Sequence, residues 1–322
     1  MDKARGKASS KASSKASEQA ALEAIQQQCE IWVQEQDSAL ISSMYAAINH
    51  GKMLRSRLIL AITAGQASAH QESIINLCAV IELIQCASLL HDDVIDSATS
   101  RRNRPSINAQ FGDKNAIMLG DVLYANAFVK LCDFYPAIAR CVAGSVAMLA
   151  KGEIEDVAYS KEFQPSLEVY YQILRNKTAS LISASAQAAA LLVGLDSSAY
   201  QAYGYNLGMA FQIIDDLLDI TQDEQTLGKP AMNDIREGKS TLPYILLYHK
   251  LDSREQQEFL RAFARASDED IASIKQLLFA HSIIDEAKRI AYEFAQNALC
   301  SIASEQNSAL ESIANALIER TY

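Results

Sequence analysis

The stretch Leu83-Ile84-Gln85-Cys86-Ala87-Ser88-Leu89-Leu90-His91-Asp92-Asp93-Val94-Ile95-Asp96 decides how this chain reads: an apolar segment of helical character ending in three aspartates. At 3.6 residues per turn, Asp92 and Asp96 share one helical face, with Asp93 beside them. The design recurs 123 positions later, where Phe211-Gln212-Ile213-Ile214 leads into Asp215-Asp216-Leu217-Leu218-Asp219.

Three like charges within little more than one turn repel each other, and taking each out of water costs on the order of several kcal/mol, so stability alone accounts for neither cluster. A solvated helix end would suit a single cluster, but apolar flanks of this kind point inward, and the pattern is duplicated. Carboxylate oxygens are hard ligands suited to Mg²⁺, which keeps several waters and bridges protein carboxylates to substrate phosphates. A phosphate or diphosphate substrate is therefore expected. The first cluster ends a helix spanning about 73–96, where its charges oppose the helix dipole until a cation offsets them.

The surrounding chain is built for helices. Its 322 residues include only 12 Gly and 5 Pro, and apolar spacing near 3.6 runs through long Ala-, Leu-, Gln- and Glu-rich stretches. We read an all-α fold in a single domain with no visible boundary. The formal charge is −10, of which the six clustered aspartates account for six, and no basic stripe suggests a nucleic-acid partner. Cys29, Cys78, Cys86, Cys132, Cys141 and Cys300 show no CxxC spacing, which suits reduced thiols in a cytoplasmic protein. The five histidines are too scattered for a zinc signature, although His91 could stand behind Asp92.

Residues 1–19 carry Lys3, Arg5, Lys7, Lys11 and Lys15 and almost nothing apolar, so they read as a disordered tail ahead of a folded region at 20–322. The segment resembles an organelle transit peptide only weakly. No run of 18 apolar residues follows, so no membrane span is expected and membrane contact would be peripheral at most.

Helices are expected near 18–32, from about 38, at 73–96, from about 115, and at 137–159, 166–194 and 197–220. A basic turn, His50-Gly51-Lys52-Met53-Leu54-Arg55-Ser56-Arg57, and a polar loop, Arg101-Arg102-Asn103-Arg104-Pro105, flank the first cluster. After the second come Gly228-Lys229-Pro230 and Glu237-Gly238-Lys239-Ser240-Thr241, with Ser240 or Thr241 as N-cap and Pro243 in the next first turn. From Tyr244 onward the chain reads as amphipathic helices for packing within or between subunits.

In order and spacing these motifs resemble the trans-isoprenyl diphosphate synthases, the head-to-tail prenyltransferases, from about Gly51 to Thr241. The residues that carry the likeness are HDDVID, FQIIDDLLD, the Arg101-Arg102 pair, Lys177-Thr178-Ala179 and the lysines at Gly228-Lys229 and Glu237-Gly238-Lys239. The resemblance implies a helical bundle around a central cavity and a homodimer. It implies that Asp92, Asp96 and Asp215 hold three Mg²⁺ around an allylic diphosphate, with Asp93, Asp216 and Asp219 behind them. Arg101, Lys177, Thr178, Gln212, Lys229 and Lys239 would complete that pocket, Lys177 and Lys239 among the catalytic set. Isopentenyl diphosphate would lie against Lys52, Arg55, Gln85 and Arg102. Three Mg²⁺ offset six aspartates, and the lysines and Arg101 meet a diphosphate ester of about −3.

The chain departs from the family's pattern in places. The usual GGKRxRP appears as HGKMLRS, so Met53 and Ser56 replace an Arg and a Pro, and Gln85 stands where long-chain members usually have His. Glutamine can donate a hydrogen bond but cannot be charged, so isopentenyl binding should be altered rather than lost. Ala87 and Ser88 lie about one turn before Asp92, where short-chain relatives carry an aromatic that blocks the product tunnel; Ile84 continues that face. Small residues there imply a long all-trans product, near eight units (octaprenyl-type), made from farnesyl diphosphate for quinone side chains. A geranylgeranyl-type synthase, a terpene cyclase and a noncatalytic synthase subunit remain as alternatives.

Overall fold

The computed structural model describes residues 2–222, 232–305 and 307–319, with side chains from residue 16 onward. The helices form two compact units, residues 1–140 with 188–197 and residues 141–187 with 198–322. The uninterrupted helical pattern hides this division, because the boundaries run through helices and not through Pro- or Gly-rich linkers.

In the first unit, α1 (Asp2–Gln34), α2 (Ala39–Ala46), α3 (Leu54–Thr63), α4 (Ala67–Ile95), α5 (Ile107–Phe111) and α6 (Asp113–Leu131) follow in order. Leu22, Ile25, Cys29, Trp32 and Val33 form the buried stripe of α1 at helical spacing. The α1 backbone continues back to Asp2, where composition predicts a disordered tail. Ala and Lys are strong helix formers, and extending a packed helix requires no new nucleus. Ser38 caps α2 by accepting from the Ile41 N–H, at the restart expected from the sequence.

Helix α4 is the core of this unit and packs on α6, α1 and α3. Leu77, Cys78, Ala79, Val80 and Ile81 are all fully buried, so the helix is enclosed on every side. By length and composition alone the run Leu54–Ile95 is apolar enough to cross a membrane, as a buried core helix also can be. Of its most apolar window, 67% is buried within the protein.

After α4, Ser100–Arg101 and Arg104–Pro105 pair as a two-residue antiparallel hairpin, β1 and β2. Arg102 and Asn103 adopt φ of 53° and 59°, the left-handed geometry of a tight I′ turn. The sequence shows only a polar loop here, since no apolar alternation marks strands this short.

In the second unit, α7 (Pro136–Tyr159), which begins in the first, leads to α8 (Leu167–Leu174), α9 (Ser180–Val193) and α10 (Ser197–Thr221). The helix expected over 166–194 is interrupted by a π turn at Arg175–Ala179. Short π insertions of this kind concentrate at functional sites. Gly208 of α10 faces it closely, as a Cβ there would lie 2.6 Å from the Ala179 Cα.

Beyond α10 come α11 (Asn233–Arg236), α12 (Leu242–Lys250), α13 (Ser253–Arg265), α14 (Asp268–Ala280), α15 (Ile283–Ser301) and α16 (Ser308–Glu319). Thr241 is the N-cap of α12, with Pro243 in its first turn, while the Ser240 hydroxyl accepts from the Gln164 N–H at 2.9 Å. Phe163, Tyr244, Phe259 and Phe263 pack edge-to-face in the core, consistent with the packing role expected for this region.

Candidate active site

The first cluster closes α4 with Asp96 as its C-cap. Asp92 and Asp96 are partly exposed, whereas Asp93 is buried at 4%. Arg101 donates to Asp93 Oδ1 through Nε at 2.7 Å and through its terminal nitrogen at 2.6 Å. The Asn108 amide donates to the Asp93 carbonyl at 3.2 Å. The hairpin thus folds back on the cluster, and an arginine expected at the allylic diphosphate balances the buried middle aspartate. His91 turns to α6: its Nε2 lies 3.1 Å from the Ile117 carbonyl, and a Cβ at Gly120 would fall 2.3 Å from that nitrogen. It fixes the α4–α6 contact one residue before Asp92.

The expected isopentenyl residues gather on α3, α4 and the hairpin. Arg102 donates to the Asn49 carbonyl, and its guanidinium occupies the space where a Cβ of Gly51 would sit. Lys52 is exposed. Burial pushes the Arg55 guanidinium down to about 10 against the pull of the nearby Glu82 carboxylate. Burial likewise raises Glu82, while the Ser56 hydroxyl and Arg55 draw it down. Arg55 Nε and Gln85 Oε1 are buried and meet no hydrogen-bond partner among the described residues. Orphaned buried polar atoms are rare unless a ligand or water completes them. Ile84 and Ala87 are fully buried and Ser88 nearly so, the last donating to the Gln85 carbonyl at 2.9 Å.

In the second unit the π turn ties Thr178 to the second cluster and turns Lys177 toward α7. Thr178 donates to Gln212 Oε1 at 2.8 Å, and Gln212 Nε2 donates to Asp216 Oδ1 at 2.9 Å. Tyr170 completes Asp216 with a 2.7 Å bond to Oδ2. Burial raises the Asp216 carboxyl to about 7; the Gln212 and Tyr170 bonds oppose that shift, and Asp215 and Asp219 reinforce it. Lys177 Nζ lies 2.7 Å from both Glu153 Oε2 and Asp156 Oδ2 on α7. Gly152 permits this approach, since a Cβ there would come within 2.5 Å of the Lys177 backbone nitrogen.

Asp219 is 1% exposed and accepts from the Asp234 N–H at 3.1 Å, while its carbonyl accepts from Met232 at 2.9 Å. Lys239 reaches back through its own N–H to the Asp234 carbonyl and pairs through its ammonium with Glu237. Lys229 lies outside the described residues.

Four contributors escaped the motif reading: Glu82, Glu153, Asp156 and Tyr170. Glu153 and Asp156 do show one signal, carboxylates three apart and so on one face of the helix. Glu82 and Tyr170 sit singly among core residues, where sequence alone cannot separate a partnered polar group from a helix-surface one.

The donor set of both clusters is carboxylate oxygen alone, which fits a hard divalent cation. Among the described residues no three His, Cys, Asp or Glu side chains converge closely enough to hold a metal unaided.

Comparison with known proteins agrees with this chemistry. The polyprenyl synthetase family model matches residues 38–280. An octaprenyl diphosphate synthase of Haemophilus influenzae is 32% identical over 296 residues, covering 89% of this chain and 90% of that protein. A geranylgeranyl diphosphate synthase of Sulfolobus acidocaldarius is 31% identical, covering 81% of this chain and 84% of its own. The crystal structure of octaprenyl pyrophosphate synthase from Helicobacter pylori superposes with a TM-score of 0.90 at 44% identity, over 93% of this chain and 99% of that one. Polyprenyl synthase from Caulobacter crescentus, crystallised with calcium and isoprenyl diphosphate, gives a TM-score of 0.86 at 32% identity, covering 94% of this chain and 96% of its own. With its all-α fold, its two aspartate clusters and matches spanning most of its length, the chain belongs to the polyprenyl synthetase family, the trans-isoprenyl diphosphate synthases.

Proposed function

We propose that this prenyltransferase condenses isopentenyl diphosphate head-to-tail with an allylic diphosphate, farnesyl diphosphate in the first instance, to give an all-trans chain of about eight units for quinone side chains. The observation that carries the reading is the chain of bonds Thr178–Gln212–Asp216–Tyr170, which ties the Lys177-Thr178 turn to the second aspartate cluster. Family membership supports both clusters serving one allylic diphosphate.

Asp92, Asp96 and Asp215 would hold Mg²⁺, three ions by family likeness, and Asp93, Asp216 and Asp219 would brace them. Bound Mg²⁺ neutralises the diphosphate and stabilises charge on it as the allylic C–O bond breaks. Lys177, Thr178, Gln212 and Lys239 position that diphosphate, with Arg101 and Lys229 assigned by likeness. Lys52, Arg55, Gln85 and Arg102 hold the isopentenyl diphosphate so that its double bond faces the allylic carbon from which the diphosphate departs. The released diphosphate takes the proton, so no protein nucleophile is needed.

The small side chains of Ala87 and Ser88 one turn before the first cluster support a long product, as no aromatic stands at that level of α4. The likeness to a geranylgeranyl synthase favours a shorter product as the second reading. Incubation with farnesyl and isopentenyl diphosphates and Mg²⁺, followed by product sizing, decides between them. Turnover of an allylic diphosphate without isopentenyl diphosphate would indicate a cyclase, and binding without turnover a noncatalytic subunit.

A homodimer is supported by apolar residues left exposed on α6: Ile117, Met118, Phe128 and Val129 recur after three helical turns and so share a face. Light scattering on the purified chain tests it. Six free cysteines, three of them buried, support a reducing, cytoplasmic setting.

A further inference from the structure

Ser56, where the family motif that the chain resembles has proline, stands in the first turn of α3 and is fully buried. Proline is tolerated in a first turn because the backbone N–H there has no helical partner. Serine instead brings a hydroxyl into the interior, which is costly unless it is bonded. Its bond goes to Glu82 on α4: Ser56 Oγ donates to Glu82 Oε1 at 2.6 Å. Glu82 is also the carboxylate whose charge acts on both Arg55 and Arg102. One turn further along α4 stands Gln85, whose buried Oε1, like Arg55 Nε, meets no partner among the described residues.

We propose that Ser56 and Glu82 are positioning residues for Arg55, holding the carboxylate off the guanidinium so that Arg55 Nε and the Gln85 amide stay available to the diphosphate of isopentenyl diphosphate. The inference rests on the substrate reading above and deepens it. An amide can rotate to present its NH₂, so Gln85 serves an anion as readily as it now shows an oxygen. Without the Ser56 hydroxyl, Glu82 keeps only the hold of the Ser56 backbone N–H and is freer to turn toward Arg55, whose charge already draws on it. The carboxylate then competes with the diphosphate for the same guanidinium. Thus a residue that departs from the family's sequence acts on one substrate only.

The test is steady-state kinetics of the full chain with each substrate varied in turn, alongside thermal melts. Ser56→Ala is expected to raise KM for isopentenyl diphosphate about tenfold and leave KM for the allylic substrate within about twofold, the scale of one lost charge-assisted hydrogen bond. Ser56→Thr keeps the hydroxyl and should restore the original value. Ser56→Pro removes the backbone donor to Glu82 as well and should raise the same KM at least as far. In a Glu82→Gln background, Ser56→Ala should add less than about twofold, because the two act as one unit. Equal rises in both KM values, or full additivity with Glu82→Gln, would overturn the inference while leaving the proposed function standing. Failure of the unaltered chain to incorporate isopentenyl diphosphate would overturn both.

Discussion

Tyr170 Oη donates a 2.7 Å hydrogen bond to Asp216 Oδ2, and both side chains are buried. A tyrosine on α8 thereby holds the middle aspartate of the second cluster from the side opposite Gln212. Hydrogen bonds to charged groups contribute about 1.5–3 kcal/mol, so Tyr170→Phe should lower stability by roughly that amount when Asp216 is ionised. Denaturant unfolding at pH 8 measures it. Prenyl transfer should fall by about tenfold, because a carboxylate held by Gln212 alone braces its neighbours less firmly. An unchanged rate would remove Asp216 from the supporting set.

The acidity of Asp216 gives metal-free stability a definite slope with pH. Its carboxyl is raised from 3.8 to about 7 in the folded chain, so between those values the folded state holds a proton that the unfolded state has released. Stability from this group is therefore full below pH 3.8, declines as pH rises toward about 7, and is flat above. Asp216→Asn should flatten the slope and leave the variant the more stable of the two at pH 8 without metal, by on the order of 1–2 kcal/mol. Urea melts at pH 4.5 and pH 8 compare them. Mg²⁺ with inorganic diphosphate should stabilise the unaltered protein most at the higher pH.

Gly152 and Gly144 lie on the same helix and should respond oppositely to alanine. A Cβ at Gly152 would meet the Lys177 backbone nitrogen at 2.5 Å, whereas one at Gly144 meets nothing within 4 Å. Gly144→Ala should stabilise by about 0.5–1 kcal/mol from helix propensity and unfolded-state entropy. Gly152→Ala should destabilise by about 1–3 kcal/mol through overpacking against the π turn, and should impair catalysis as well. Thermal melts and initial rates of the pair suffice.

Lys177 has a structural duty separable from its proposed catalytic one. Removing its ammonium leaves the buried Glu153 facing Asp156 without a cation, so Lys177→Ala should cost about 3–5 kcal/mol as well as activity. Adding Glu153→Gln should recover much of the stability and none of the activity. Recovery of both would assign Lys177 to packing alone.

Ala87 is fully buried on α4, one turn before Asp92. Ala87→Tyr should shorten the product, at an overpacking cost of about 1–3 kcal/mol. Chromatographic sizing of the product reads the outcome, and an unchanged length would show that this face does not line the product's path.

Much of the site is legible from the chain because Asp92, Asp96, Asp215 and Asp219 announce themselves by local spacing, and a helix converts that spacing into a shared face. The Ser38 cap and the helical character of 73–96, 137–159 and 197–220 are local in the same sense. The two-residue hairpin at Arg102-Asn103 and the π turn at Lys177 were not legible: each is a departure of a few residues that only its packing partners stabilise.

The sequence by itself determined the all-α class, the paired aspartate clusters and the family, since these follow from periodicity and short-range motifs. Tertiary structure alone decided which groups answer the buried charges: Arg101 on Asp93, Tyr170 on Asp216, Glu153 and Asp156 on Lys177, Ser56 on Glu82. Most of these partners come from separate helices. A buried charge must be compensated wherever the fold brings a partner near, and that choice is made by packing geometry, which leaves no periodic trace in the chain.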